Sequence, residues 1–199
     1  MSSNLQIRLL DKTERKNVYK QHMKQDFPKN ELRPLHGIES LVDRGDYYTY
    51  GVFEEQVLIA YAYLWEEKER EILLFDYFAV ISEFRNQGYG TNAMKAVLEL
   101  CKNKRGVILE TENPAKAESE EERKTRNRRI AFYKRCGLEI SDVKIYLFGV
   151  EYCMMYKEWK EIGVENEIVS VMESLYGNLL PPKIYEKMVK INIDSKEEG

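Results

Sequence analysis

The chain has 199 residues, of which 43% are hydrophobic and 33% charged, and its formal net charge is −3. This composition is typical of a globular protein of one domain, with no apolar run near the roughly 20 residues of a membrane span. The small acidic excess argues against nucleic acid as a partner, because binding to phosphate backbones relies on excess lysine and arginine. Two histidines and three widely spaced cysteines predict neither a metal site nor a disulfide framework. The first residues lack the apolar core of a signal peptide, which favours a cytoplasmic location.

The N-terminal third predicts strands and helices in alternation. Leu5 to Leu10 alternates enough for an opening strand. Asp11 followed by Glu14 resembles a helix start with an acidic first turn, and the helix should end near Pro28. A second helix is predicted from about Pro34.

Three strands and a helix follow in the middle of the chain. Tyr47 to Phe53 and Val57 to Trp65 predict an antiparallel hairpin. The apolar run from Ile72 to Val80 predicts a strand that is buried on both faces, with Asp76 as its only charge. Thr91 to Cys101 has apolar residues at helical spacing, so this segment predicts a helix packed on the sheet.

A glycine turn joins that strand to that helix. Residues 85 to 90 read Arg-Asn-Gln-Gly-Tyr-Gly. Glycine lets the backbone approach a ligand closely, and the first N–H groups of a helix favour an anion. The spacing matches neither the P-loop nor the dinucleotide fingerprint. The segment therefore predicts a phosphate cradle of another kind.

The pattern Arg-x-x-Gly-x-Gly after an apolar strand resembles the acetyl-CoA pyrophosphate loop of the GNAT superfamily of N-acyltransferases. A second segment is also similar to that family. Gly106 to Glu112 reads as a strand, and the helix that follows carries Tyr133 four residues before Gly137 and Leu138. The resemblance covers roughly residues 5 to 157. It implies a mixed α/β fold in which helices flank a mostly antiparallel central sheet.

The resemblance also implies how acetyl-CoA binds. Backbone N–H groups of the turn would hold the pyrophosphate, and the end of the preceding strand would pair with the pantetheine arm like an added strand. Arg85 could add a charge-assisted contact, or it could be a solvated loop arginine. No metal is required. The residues so implied are Phe78, Ala79, Val80, Arg85, Asn86, Gln87, Gly88, Tyr89, Gly90 and Thr91.

Two residues are the candidates for catalysis by the same resemblance. Tyr133 would be the general acid for the departing thiolate, unless it is a core tyrosine. Glu110 would be the base for the amine, directly or through a chain of water molecules. Glu110 and Glu112 share a face of their strand by alternation, so Glu112 remains an alternative base, as does Asp76. Each of these carboxylates could instead be structural.

The family often has an asparagine seven residues before the tyrosine, and this chain has Arg126 there. Asn127 cannot simply take over that role, because one residue turns a helical side chain by about 100°. Arg126 belongs to a basic run that could meet the 3′-phosphate of the cofactor, although most of it should be a solvated face paired with the acidic stretch before it. The run comprises Arg123, Lys124, Arg126, Arg128, Arg129, Lys134 and Arg135.

The function implied is N-acetyl transfer from acetyl-CoA to an amine of an unidentified small molecule or protein. One rival is a non-catalytic acyl-CoA-binding sensor or partner module on the same fold, and a second is a structural protein that keeps only the fold. Acidic clusters at residues 66–71 and 118–122 would favour a cationic acceptor, yet such clusters are usually solvated surface.

The domain boundary is predicted at residue 157, with an acetyltransferase domain over 1–157 and a helical C-terminal extension over 158–199. Two apolar stripes mark the extension, one from Ile168 to Tyr176 and one from Ile184 to Val189. Such stripes are usually core contacts, so we expect them to pack on the same domain. A surface for a homodimer or for another partner is the alternative.

Overall fold

The computed structural model describes residues 5–159 and 163–191. Contacts divide the chain into two compact units. The first unit is made of residues up to Glu66 together with Leu74–Asn103, and the second of Glu67–Leu73 together with the chain from Lys104 onward.

The first unit begins with strand β1 (Gln6–Leu9) and helix α1 (Lys12–Val18), which continues through a π-helical segment (Tyr19–Met23) into a short helical turn (Lys24–Asp26). The predicted helix start is confirmed. The Asp11 carboxylate accepts from the backbone N–H of Glu14 at 2.8 Å, and the Glu14 carboxylate accepts from the N–H of Asp11 at 2.9 Å. This reciprocal pair satisfies two N–H groups that a helix start would leave without partners. Helix α2 (Leu35–Asp43) follows Pro34, as predicted.

The predicted hairpin is confirmed as strands β2 (Tyr47–Glu54) and β3 (Val57–Glu67), which pair antiparallel. Glu55 and Gln56 form its two-residue turn, both with positive φ, as tight hairpins require. Strand β4 (Ile72–Val80) and helix α3 (Tyr89–Leu100) complete the unit, whose strands lie in the order β1-β2-β3-β4. Helix α3 buries the predicted apolar face, which comprises Ala93, Met94, Val97 and Leu98.

The second unit contains strand β5 (Gly106–Glu112), helix α4 (Glu120–Arg135) and the hairpin of β6 (Glu139–Leu147) and β7 (Val150–Glu158). Helices α5 (Val164–Leu179) and α6 (Pro182–Met188) and the short strand β8 (Val189–Ile191) follow. The strand order is β5-β7-β6-β8, with every neighbouring pair antiparallel. The predicted fold class is confirmed, since the protein is mixed α/β and its strands are mostly antiparallel.

The C-terminal stripes behave differently from each other. Helix α5 buries its whole predicted stripe, namely Ile168, Val171, Met172, Leu175 and Tyr176. The second stripe is not one helical face, because Val189 starts strand β8 while Ile184 is 45% exposed. Strand β8 pairs with β6, and that pairing supplies hydrogen-bond partners for backbone groups at the edge of β6. The predicted boundary at residue 157 stays a prediction, and residues 160–162 and 192–199 of the extension lie outside the described residues.

Among the described residues, no helix combines the length and apolarity needed to cross a membrane. All three cysteines are free and buried, which agrees with their predicted role in packing.

Candidate functional site

The glycine turn lies at the end of β4. After Val80 the chain makes one turn of 3₁₀ helix (Ser82–Phe84), then an exposed turn over residues 85–88. Helix α3 begins at Tyr89, two residues before the predicted start, so Gly90 lies in its first turn rather than in the loop. Apolar periodicity misses this start because the helix buries no residue before Ala93.

Gly88 is the N-cap of helix α3 and has a left-handed φ of 86°. A side chain is strained there, which explains the glycine. A Cβ built on Gly88 would meet no described atom within 4 Å, so the space beside it is open. No side chain caps the helix start in the described part of the chain. The first N–H groups of α3 therefore suit an anion.

Arg85 braces the turn. Its Nε donates to the carbonyl oxygen of Val80 at 2.9 Å, and its guanidinium is ion-paired with Asp26 at the end of the first helical region. Asp26 also accepts from the Tyr61 hydroxyl at 2.7 Å. These partners compete with the phosphate contact predicted for Arg85. They also tie the turn to the buried part of its own unit.

Two nearby side chains, those of Gln87 in the turn and Tyr89 at the start of α3, form hydrogen bonds within the protein. Gln87 Nε2 donates to the carbonyl oxygen of Glu83 at 2.7 Å, and the Tyr89 hydroxyl donates to Glu54 at 2.6 Å. Any role of these two residues in holding a phosphate therefore falls to their backbone N–H groups. The remaining predicted contacts from β4, Phe78 and Ala79, are half-buried at its end.

Tyr133 lies in the last turn of helix α4, in the second unit, and is half-buried. Burial raises the pKa of its hydroxyl, and nearby Arg129 opposes that rise. The Tyr-x-x-x-Gly-Leu spacing has a structural cause. Gly137 takes φ 92°, and the N–H of Leu138 donates to the Tyr133 carbonyl oxygen at 3.1 Å, which is the Schellman ending of a helix. The glycine thereby fixes where the helix stops relative to the tyrosine.

Glu110 and Glu112 have different partners, although alternation predicts that they share a face of β5. Glu110 Oε1 accepts from the Tyr176 hydroxyl at 3.0 Å. Glu112 is ion-paired with Arg126 and Arg129 of helix α4. These two ion pairs favour the structural alternative for Glu112.

Asp76 belongs to the first unit and is committed to structural partners. Its carboxylate accepts from Arg33 Nε at 2.9 Å and from the hydroxyl of Tyr47. The side chain of Asp76 is only 6% exposed. This arrangement favours the structural alternative for Asp76 over a role as base.

Three residues of the basic run on α4 pair with the acidic stretch before it, namely Arg123, Lys124 and Arg126. Arg126, at the position of the family's asparagine, is buried and donates to the carbonyl oxygen of Asn113 at 2.7 Å and to Glu122 at 2.8 Å. It joins the start of α4 to the end of β5. Arg123 and Lys124 pair with Glu120. Three glutamates of the acidic stretch, Glu120, Glu121 and Glu122, form the first turn of helix α4, which Ser119 caps.

Comparison with known proteins decides the family. The model of the Acetyltransferase (GNAT) family matches residues 9–138. The chain belongs to the GNAT family of acetyltransferases. No curated protein sequence matches it. The predicted resemblance is confirmed.

Solved structures of GNAT acetyltransferases share the fold. A protein assigned to the family from Bacteroides thetaiotaomicron matches with a TM-score of 0.71 and 22% identity, over 86% of this chain and 96% of that one. Spermidine N-acetyltransferase from Vibrio cholerae, in complex with CoA and spermine, matches with a TM-score of 0.59 and 13% identity, over 78% and 96%. The ribosomal-protein-S18-alanine N-acetyltransferase from Escherichia coli has a TM-score of 0.57 and 14% identity, over 80% and 96%.

Each unit of this GNAT protein holds one set of the predicted residues. The first holds the residues expected to bind acetyl-CoA, and the second holds Tyr133 and Glu110. Sequence reasoning missed Asp26 as the partner of Arg85. It also took Tyr176 for a core residue alone, although it contacts Glu110. The only local signal for Asp26 is its place at a helix end just before Pro28.

The acidic clusters are weak evidence for a cationic acceptor, because several of their carboxylates already have partners within the protein. Glu66 accepts from the Tyr48 hydroxyl, and Glu67 accepts from Ser174 and pairs with Arg70. Glu120 and Glu122 of the second cluster are paired with basic side chains of their own helix. Carboxylates with such partners attract a cationic substrate less strongly.

Proposed function

We propose that this GNAT enzyme transfers an acetyl group from acetyl-CoA to an amine, with Tyr133 as general acid and Glu110 as base. The observation that carries the proposal is Gly88, which opens helix α3 from a left-handed conformation beside open space. Exposed N–H groups at such a helix start are suited to the pyrophosphate of the cosubstrate. The proposed mechanism requires no metal, because side chains can supply both the acid and the base. The proposal also places the enzyme in the cytoplasm.

Acetyl-CoA, when bound, supplies the acetyl group as an activated thioester. The chain must hold it, accept a proton from the amine and return one to the sulfur. An unperturbed primary amine has a pKa near 10 and is mostly protonated at neutral pH, so Glu110, directly or through water, would take its proton. Tyr133 keeps its own proton at neutral pH, since the ordinary pKa of tyrosine is near 10 and burial raises the pKa of Tyr133, so the proton is available as the bond to sulfur breaks.

Amine acceptors appear in the names of several fold neighbours, among them spermidine and the alanine of a ribosomal protein. Because these neighbours share less than 20% identity with this chain, they support an amine acceptor and no particular one. A panel should therefore span polyamines, aminoglycosides, lysine-containing peptides and peptides with a free N-terminus. Thiol release from acetyl-CoA, measured over this panel, tests the proposal directly.

Tyr133→Phe tests the general acid, since it keeps the ring and deletes only the hydroxyl. We expect turnover to fall about 10²-fold with acetyl-CoA affinity little changed. A core tyrosine would instead lower the melting temperature and leave turnover within about threefold of wild type. Failure of every amine to release thiol, while acetyl-CoA still binds, would favour the non-catalytic binding module.

A further inference from the structure

The C-terminal helix α5 reaches the candidate base. The Tyr176 hydroxyl donates to Glu110 Oε1 at 3.0 Å, although the two residues are 66 positions apart. Tyr176 is only 3% exposed, and both residues lie in the second unit. Burying a phenol without a partner is costly, so the contact with Glu110 has a structural reason. The same hydrogen bond also orients the carboxylate of Glu110.

The ring of Tyr176 is firmly held. It lies on the buried stripe of α5, and it packs against Phe148, with ring centroids 6.4 Å apart. Phe148 occupies the turn between β6 and β7 with φ 49°, and its N–H donates to the carbonyl oxygen of Met188 at 2.9 Å. A phenol with this support presents its hydroxyl in one direction. The carboxylate of Glu110 is therefore oriented by a hydrogen bond from the C-terminal extension.

The hydrogen bond that Tyr176 donates differs in kind from the contacts of Glu112. Glu112 is held by the two positive charges of Arg126 and Arg129. The phenol of Tyr176 is neutral, so it orients the carboxylate of Glu110 without adding a positive charge beside it. Orientation of a catalytic group by a fixed neighbour is a common requirement of proton transfer, because the accepting oxygen must face the proton.

We propose that Tyr176 is a positioning residue for Glu110, and that the C-terminal extension thereby contributes to acetyl transfer. The inference rests on the proposed function, in which Glu110 accepts the proton of the amine. Tyr176 acts only through the orientation of Glu110 and takes no proton itself. The extension then has a role beyond packing.

Steady-state kinetics of Tyr176→Phe, in the full chain and with the best amine of the panel, tests this. The variant keeps the ring packing on Phe148 and loses only the hydroxyl. We expect kcat to fall about tenfold while KM for acetyl-CoA stays within about twofold, because the cofactor turn lies in other elements. In a Glu110→Gln background the same substitution should have no further effect, since the group it positions is gone.

Tyr156→Phe is the matched control. The Tyr156 hydroxyl donates to Glu165 of the same helix at 3.1 Å, so this variant also deletes a tyrosine–glutamate hydrogen bond that anchors α5. We expect its kcat to stay within about twofold of wild type. An equal fall in both tyrosine variants would show that α5 matters only as a support and would overturn the proposal.

The remaining outcomes separate this inference from the proposed function. If Glu110→Gln lowers kcat strongly but Tyr176→Phe does not, the positioning role is wrong and the base assignment stands. If Glu110→Gln leaves kcat unchanged, both the base assignment and the positioning role are wrong, while thiol release by the wild type still establishes acetyl transfer. Additive losses in the double variant would also overturn the positioning role, because Tyr176 would then act independently of Glu110.

Discussion

The guanidinium of Arg85 is ion-paired with the carboxylate of Asp26, which lies 59 positions earlier in the chain. The same guanidinium donates to the carbonyl oxygen of Val80, the last residue of β4. Arg85 thus links the start of the glycine turn to the strand before it and to the end of the first helical region. These contacts give Arg85 a structural role that is independent of any contact with a phosphate.

If bracing is its main task, Arg85→Lys and Asp26→Asn should weaken acetyl-CoA binding by similar amounts. Lysine keeps the charge but cannot make both contacts of the planar guanidinium. Asparagine keeps an acceptor for Tyr61 and removes the charge that holds Arg85. We expect the double variant to bind no more weakly than either single one, as measured by calorimetry. A normal affinity for Asp26→Asn beside a large loss for Arg85→Lys would instead mark Arg85 as a phosphate ligand.

Gly88 can be tested with two substitutions of nearly equal size. Asparagine and aspartate both tolerate a left-handed backbone better than other residues with side chains, so the strain in the two variants is similar. Only aspartate places a negative charge where the pyrophosphate is expected. Two charges about 4 Å apart repel by roughly 1 to 4 kcal/mol near a protein surface. Gly88→Asp should therefore bind acetyl-CoA about tenfold or more weakly than Gly88→Asn. Equal affinities in two folded variants would remove the turn from the cofactor site.

Glu14 should give the fold a measurable acid sensitivity. Hydrogen bonds from Arg8, and then from the N–H of Asp11, lower the pKa of Glu14 from 4.5 to about 2. A pKa that is lower in the folded state means that the stabilisation is complete above pH 4.5 and is lost as the pH falls towards 2. Glu14→Gln can keep the hydrogen bond to the N–H of Asp11 but loses the charge paired with Arg8, so it should lower the midpoint of urea unfolding at pH 7 by an amount equivalent to about 1 kcal/mol or less. The difference from wild type should shrink steadily below pH 4.5.

The control for that series is Glu121→Gln, which removes an exposed glutamate from the first turn of α4. We expect a smaller loss at pH 7 than for Glu14→Gln. A pH-independent difference between Glu14→Gln and wild type would contradict the role assigned to the charge.

Local patterns predicted the strands, the hairpin, the capped first helix and the glycine turn, because each depends on residues close in sequence. The Schellman ending at Gly137 likewise explains why a short motif could locate Tyr133. The pairs Asp26–Arg85 and Tyr176–Glu110 are different, since 59 and 66 positions separate their members. The spacing of apolar residues along the chain does not predict contacts between side chains so far apart in sequence. The start of α3 was missed for another reason, because its first turn contains no buried apolar residue.

The same substitution, isoleucine to alanine, in each of the two apolar stripes tests whether helix α5 packs as part of the cooperative fold. Ile168 in α5 is fully buried, whereas Ile184 in α6 is 45% exposed. Replacing a buried isoleucine by alanine costs about 2 to 5 kcal/mol, because the lost apolar contacts leave a cavity. An exposed isoleucine has little burial to lose, so Ile184→Ala should cost well under about 1 kcal/mol.

For a chain of this size, Ile168→Ala should lower the melting temperature by roughly 5 °C or more and Ile184→Ala by about 2 °C or less. Calorimetric scans of both variants measure this directly. Equal shifts, or no shift for Ile168→Ala, would show that α5 does not pack as part of the cooperative fold.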